Sequence, residues 1–236
     1  MSLERPALGA GEVHIWRACL ACPPVEPLYA VLSEDERERV ARYRSEVSRT
    51  RFVVAHAALR DVLARYADAA PAELRFVKNY YGKPALAGEP VEFNLSHADD
   101  KAAIAITRAS EVGVDIERIR PGVGGEEIAR RFFSAREVET FEALPPGERQ
   151  TAFFRCWTRK EAFIKAVGEG FSFPLDRFDV TFAPGEAPAI LSIRGRTDEA
   201  SRWTLAEFPV PEGYLAAVAV RATGVRVVCR DWAGTA

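Results

Sequence analysis

Residues 118–125 read Arg-Ile-Arg-Pro-Gly-Val-Gly-Gly, placing one proline and three glycines near the middle of a 236-residue chain. Proline removes a backbone donor and glycine loosens the backbone, so this run interrupts regular structure and reads as a hinge or linker. The elements on either side of it come in the same order. In the first half, residues 12–18 alternate as a short strand. Ser33, followed by Glu34, Asp35 and Glu36, then reads as an N-cap with an acidic first turn and opens a helix to about Tyr43. A longer helix is predicted over about Ser48–Ala67, with an apolar stripe of Phe52, Ala55, Leu59, Val62, Leu63 and Tyr66. Strands follow near 74–78, 91–96, 102–107 and 112–117, with a loop at Asn79–Pro84. The short polar connections Ala98–Asp100 and Arg108–Ser110 predict antiparallel hairpins.

Beyond the linker come helices near Glu126–Arg131 and Ala135–Ala143, a break at Pro145–Gly147, and a long helix over about Glu148–Val167 that Gly168 stops. The remainder is strand-like, at about 179–182, 189–193, 203–208, 215–220 and 226–229. No residue-level repeat relates the halves. Their shared order still predicts an α+β fold of two similar lobes, each a long helix on a small antiparallel sheet, facing each other across a cleft. The division falls after residue 119, giving lobes 1–119 and 120–236.

Composition restricts what such a fold can do. Apolar residues make up 48% and charged residues 28%, which is ordinary for a folded protein and excludes a disordered chain. Thirty-two basic and 34 acidic residues leave a net charge of −2, so no global positive field recruits nucleic acid or an anionic membrane. No apolar run approaches the roughly 20 residues needed to span a bilayer. The first 16 residues lack a basic start followed by an apolar stretch, so no signal peptide is expected, and a cytoplasmic location follows. Cys19 and Cys22 have the C-x-x-C spacing of half a zinc site or a redox pair. No second Cys/His pair completes a zinc site, and Pro23-Pro24 replaces the helix start of a redox motif. With Cys156 and Cys229, they are expected to be free thiols in a reducing compartment.

Four clusters carry chemistry. In Gly113-Val-Asp-Ile-Glu117, strand alternation sends Val112, Val114 and Ile116 into a core and Asp115 and Glu117 to the other face, about 7 Å apart. Two carboxylates on one face suit a hard divalent cation with oxygen ligands, such as Mg²⁺; the alternative is a solvated strand face. In Trp157-Thr-Arg-Lys-Glu161-Ala-Phe-Ile-Lys165, Glu161 and Lys165 are i and i+4 on a helix flanked by Phe153, Trp157 and Ile164. The alternative there is a surface ion pair. Ser96 and His97 are neighbours on a strand and therefore point to opposite faces, which excludes a nucleophile–base pair. A hydroxyl and an imidazole at a strand end suit phosphate hydrogen bonding, or a simple turn cap. Tyr81-Gly82-Lys83-Pro84 is a rigid turn carrying a lysine, without P-loop spacing.

No cluster decides the matter alone. Together, and in this order, YGKPAL, FNLSH, GVDIE, RRFFSAREVETF and CWTRKEAFIKAVGEGFSFPLDRF resemble the Sfp-type 4′-phosphopantetheinyl transferases. These motifs span about Glu34 to Phe182. The resemblance implies a pseudo-dimer of two α+β lobes with coenzyme A and the active site in the cleft between them. It implies that Asp115, Glu117 and Glu161 hold Mg²⁺, with Mn²⁺ as the alternative ion. By the same likeness Arg51, Lys83, Ser96 and His97 contact coenzyme A, Arg51 near the 3′-phosphate. Lys165 matches the lysine at the reacting phosphate, and Glu161 is the candidate base. The first helix carries an acid where the family often has a lysine, and Arg39 is the substitute. The implied reaction transfers the 4′-phosphopantetheine arm to a serine of an apo carrier protein (acyl, peptidyl or polyketide) and releases 3′,5′-ADP. The carrier is expected to be a separate acidic helical domain of natural-product synthesis. It is expected to dock near Arg130-Arg131-Phe132-Phe133, unless both Phe side chains are core. Neither nucleic acid nor membrane is an expected partner, and the enzyme is expected to be a monomer. Two competing readings keep the same acids: a metal-dependent nucleotide or pyrophosphate hydrolase, and a catalytically degenerate coenzyme A binder.

Overall fold

The computed structural model describes residues 5–22, 24–123 and 125–234. Residues 1–4 of the N-terminal stretch, Pro23 of the Pro23-Pro24 pair, Gly124 of the expected linker and residues 235–236 lie outside the described residues.

Helix ends follow local chemistry. After strand β1 (Glu12–Cys19) and a single turn, α1 (Glu26–Tyr29), Ser33 caps α2 (Glu34–Ala41). The cap is reciprocal: the Ser33 hydroxyl accepts from the Glu36 N–H, and the Glu36 carboxylate accepts from the Ser33 N–H at 2.9 Å. Ser45 caps α3 (Glu46–Ala64), so this helix starts two residues before the expected Ser48. Beyond the linker stand α4 (Glu126–Phe132), α5 (Ala135–Ala143) and α6 (Pro146–Val167). Pro146 opens α6 at a position that needs no N–H donor, and Gly168 closes it in the left-handed region at φ 75°.

The strands form two main sheets and two small hairpins. β2 (Phe76–Lys78) pairs with β3 (Pro84–Leu86), a strand the sequence reading leaves as loop. β4 (Val91–Ala98) and β5 (Lys101–Arg108) make the predicted hairpin. β6 (Val112–Arg118) departs from expectation: it does not pair with β5 but joins β10 (Tyr214–Val220). β7 (Phe178–Val180) pairs with β8 (Ile190–Ile193); the short α7 (Thr197–Ala200) then leads to β9 (Thr204–Glu207) beside β10. β11 (Arg226–Trp232) returns to lie beside β1, in parallel. The first sheet is thus β11-β1-β5-β4 and the second β6-β10-β9. Strand pairing crosses position 119/120 in both directions, and the first sheet is not wholly antiparallel.

In the second sheet β6 lies directly against α6. A Cβ on Gly113 would stand 2.1 Å from the Ala162 carbonyl oxygen and 2.2 Å from the Ala166 nitrogen. Only glycine lets the α6 backbone lie on β6 this closely. β4 still runs alongside β6, but side chains link the two: Asn94 Oδ1 accepts from the Val114 N–H at 2.9 Å, and Ser96 Oγ from the Ile116 N–H at 3.4 Å.

Three apolar layers result. α3 packs Phe52, Leu59, Val62 and Leu63 with Phe93, Ile104 and Ile106 of the first sheet. α6 packs Ala162, Phe163 and Ala166 with Leu205, Ala217 and Ala219 of the second. Between the sheets Val13, Ile15 and Ala105 meet Val114, Ile116 and Val218. Each fully buried Val, Leu, Ile or Phe side chain among these stabilises the fold by about 1.5–3 kcal/mol. The molecule is therefore a helix–sheet–sheet–helix stack.

The cysteines correct the sequence reading. Cys19 and Cys22 are joined in a disulfide, because the turn ending β1 brings their Cα atoms to 5.6 Å, within bridging range. Cys156 and Cys229 are free, as expected.

Candidate active site

The site lies where β4, β6 and the last turns of α6 converge. Alternation along β6 does what the pattern requires: Val112, Val114 and Ile116 enter the inter-sheet core, while Asp115 faces α6. Asp115 is buried, and Lys165 Nζ reaches its Oδ1 at 2.6 Å. Ser96 Oγ donates to the same Oδ1 at 2.8 Å and accepts from Lys165 Nζ at 2.9 Å. Lys165 therefore pairs with Asp115 across the sheet–helix interface, not with Glu161 on its own helix. Ser96 is the bridge, a role its neighbourhood in the sequence does not signal.

Three acids share this space with one close ammonium. Desolvation, followed by the charge of Asp115, raises the Glu117 carboxyl to about 7, against the pull of Arg120 at 3.8 Å and of Lys165. Burial and Asp115 likewise raise Glu161, with Lys165 opposing. Asp115 Oδ2 and Glu161 Oε1 are buried without a hydrogen-bond partner. Buried polar atoms are normally satisfied, so unpaired carboxylate oxygens in an acid-rich pocket call for a cation or a proton. The donors are all oxygen, which suits a hard divalent ion. As arranged, no group of three His, Cys, Asp or Glu side chains among the described residues converges closely enough to ligate one, and Asp115 is paired with Lys165. The residue types and orphaned oxygens fit Mg²⁺.

A cationic rim adjoins the acids. Partial burial, then the positive charges of His56, Lys165, Arg51 and Arg39, lower the His97 imidazole below its ordinary value. Arg39 stacks on the Phe52 ring, its guanidinium 4.9 Å from the centroid. Arg51 faces Asp99 at 3.7 Å, and Asp99 also accepts from Arg118 at 2.8 Å. A pocket of about 230 Å³ beside the site is lined by Tyr81, Lys83, Pro84, Asn94, Glu161 and Lys165, among others. Lys83 borders this pocket, but its Nζ donates to the backbone oxygens of Val112 and Ala166 at 3.0 and 2.8 Å.

Two neighbouring expectations change. Phe133 is core, stacked on Phe153 at 5.5 Å, and Phe132 is half-buried edge-on to Trp157. Arg130 is bound to Glu126 and Glu142. Of the four residues Arg130–Phe133, Arg131 keeps an exposed charged side chain outside any ion pair among the described residues. Sequence reasoning also missed Gly113 and Asn94. A glycine inside a strand pattern was the available signal for the first; a buried asparagine linking two strands has none.

An acid group, a lysine and a cationic rim at one cleft are the equipment of an enzyme acting on phosphoryl groups. Residues 111–219 match the family model described as the 4′-phosphopantetheinyl transferase superfamily. The chain is 36% identical over 219 residues to the 4′-phosphopantetheinyl transferase HetI of Nostoc sp. (strain PCC 7120), covering 90% of this chain and 89% of the relative. It is 33% identical to the 4′-phosphopantetheinyl transferase Sfp of Bacillus subtilis (strain 168), covering 66% and 68%. Among solved structures, the Thermotoga maritima holo-[acyl-carrier-protein] synthase matches with a TM-score of 0.38 at 18% identity, over 48% of this chain and 62% of that one. The chain belongs to the 4′-phosphopantetheinyl transferase superfamily and is an enzyme of the Sfp type. Neither the hydrolase nor the binding-only reading is favoured by these matches.

Proposed function

We propose that the enzyme moves the 4′-phosphopantetheine arm of coenzyme A to a serine of an apo acyl, peptidyl or polyketide carrier protein and releases 3′,5′-ADP. One observation carries the reading: the Lys165 ammonium is held against Ser96 and Asp115, with two unpaired carboxylate oxygens beside it. Asp115, Glu117 and Glu161 would hold Mg²⁺, or Mn²⁺ in its place. A bound divalent ion supplies charge neutralisation at the phosphoryl oxygens. The protein's own residues do the rest. Lys165 donates to the oxygen that gains charge as the serine Oγ bonds to the β-phosphorus and the bond to 3′,5′-ADP breaks. Glu161 takes the serine proton. Ser96 orients Lys165, while Arg51, His97 and Arg39 receive the phosphates of the nucleotide end.

The acceptor serine arrives on a separate acidic helical domain. Its docking face is the exposed start of the second half, where Val123, Ile128 and Arg131 offer apolar surface and a positive charge. No helix of the structure is long and apolar enough to cross a membrane, among the described residues. The proposed working form is a cytoplasmic monomer, in which lobes 1–119 and 120–236 together make the cleft. The test is the intact mass of an apo carrier domain after incubation with this protein, coenzyme A and Mg²⁺. A gain of about 340 Da, the mass of the transferred arm, that EDTA abolishes is the expected result. Breakdown of coenzyme A with no gain on any of several carriers would overturn it.

A further inference from the structure

We propose that Lys83 is a positioning residue which, with Asn79, staples the 79–84 loop to the end of α6 and so sets Lys165 and Glu161 in register with Asp115. The inference rests on the transferase reading for the roles of those three residues.

The loop is built to aim one side chain. Asn79 Oδ1 accepts from the backbone N–H groups of Tyr81 and Lys83 at 3.0 and 2.8 Å, and the Asn79 N–H reaches the Lys83 carbonyl at 3.0 Å. Gly82, at φ +92°, makes the reversal that other residues rarely adopt. Lys83 leaves this turn along Gly168, so closely that a Cβ there would stand 2.8 Å from Lys83 Cδ. Its ammonium then donates to the carbonyls of Val112, the first residue of β6, and Ala166, in the last turn of α6. Asn79 Nδ2 donates to the Gly168 carbonyl at 3.0 Å. The final carbonyls of a helix have no partner within it, and the negative end of its dipole favours an ammonium. Two of those carbonyls are satisfied here from another part of the chain.

The positions touched matter. Ala166 directly follows Lys165, Glu161 lies on the preceding turn, and Val112 stands three residues before Asp115. Lys83 therefore grips the backbone of both elements whose side chains must meet at 2.6 Å. Two of its three N–H donors are committed to this grip. Burial also lowers its pKa, as expected of an enclosed ammonium.

The test compares Lys83→Met, which keeps the stem and removes the donors, with the natural protein well below the melting temperature of both. The expected result is kcat lowered by about 10-fold or more, with the coenzyme A Kd from calorimetry within about two-fold of the natural protein. Amide exchange at residues 166–168 of the free protein accelerates in the same variant. A coenzyme A Kd weakened about ten-fold, with saturated kcat unchanged, would instead make Lys83 a ligand contact and overturn the proposal. So would a lowered melting temperature with kcat, KM and exchange at 166–168 all unchanged. The exchange measurement needs no turnover, so it reports on the staple even if the natural protein transfers nothing.

Discussion

The two long helices solve different problems with similar layouts. α3 buries charged groups and satisfies them. Arg60 is buried, yet its guanidinium donates to Glu36 at 2.6 Å and to the carbonyls of Pro71 and Leu74. Asp61, also buried, accepts from Trp232 Nε1 and Arg65, both at 2.9 Å. α6 does the same on its structural face, where Lys160 meets Glu137 at 2.7 Å and the carbonyls of Leu175 and Phe178. On the face that meets β6, Glu161 is left with an unpaired oxygen opposite another on Asp115. Complete polar burial serves the fold; the incomplete burial at Asp115 and Glu161, beside a raised carboxyl and a pocket, is what marks this face as the candidate site. Contact distance separates the helices too. α3 meets its sheet through side chains, whereas α6 meets β6 backbone to backbone at Gly113.

That contrast can be broken at several points. Gly113→Ala has the largest expected effect, because its clash is with backbone that cannot step aside. The loss of stability in urea denaturation should exceed the about 1–3 kcal/mol of ordinary overpacking. Gly147→Ala, where a Cβ meets open space, should be close to neutral. Arg60→Met leaves Glu36 half-paired in the first half of the chain and should remove about 3–5 kcal/mol, with kcat unchanged at temperatures where the variant is folded. An equal loss of kcat would show that the two helices do not divide structure from chemistry. Lys165→Met should act mainly on the reaction, lowering kcat by roughly 10²–10³-fold at temperatures where the variant is folded.

The acids offer a smaller, pH-dependent test. Glu117 is raised from 4.5 to about 7, so between those values the folded state holds a proton that the unfolded chain has lost. Stability should therefore fall as pH rises through this window, by at most about 3 kcal/mol from this group. A divalent ion ligated by Glu117 would have to displace that proton, so Mg²⁺ is expected to raise the melting temperature more at pH 8 than at pH 5.5. Equal shifts at the two pH values would remove Glu117 from the ion site. The smallest effect expected is for Arg131→Glu, a several-fold rise in carrier KM with the coenzyme A KM unchanged. An unmoved carrier KM would remove Arg131 from the docking face.

Much of this was legible from residues alone. The caps at Ser33 and Gly168, the stripe of α3 and the alternation of β6 are local patterns, and local sterics and hydrogen bonding enforce them. Asp115, Glu161 and Lys165 were legible as candidates because acids and a lysine set among apolar neighbours must be either solvated or used. Their pairing was not: periodicity put Lys165 beside Glu161, and the fold put it on Asp115. Lys83 read as a surface turn or a phosphate contact, and its two carbonyl partners lie 29 and 83 residues away.

The sequence by itself determined the longer helices and most of the strands, though not β3, α1 or α7, and it determined which faces are apolar and which titratable groups the chain has available for phosphate and metal. Those properties depend on neighbours within about two turns of helix or one strand, and such neighbours are adjacent in the chain. Only the tertiary structure decided that β6 leaves β5 for β10, that β11 returns to β1, that Cys19 bonds Cys22, and that Ser96, Asp115 and Lys165 meet. Two things bear on these long-range meetings: how closely α6 fits over Gly113, and which buried donors find acceptors. Both are settled between residues far apart in sequence, when the whole stack packs.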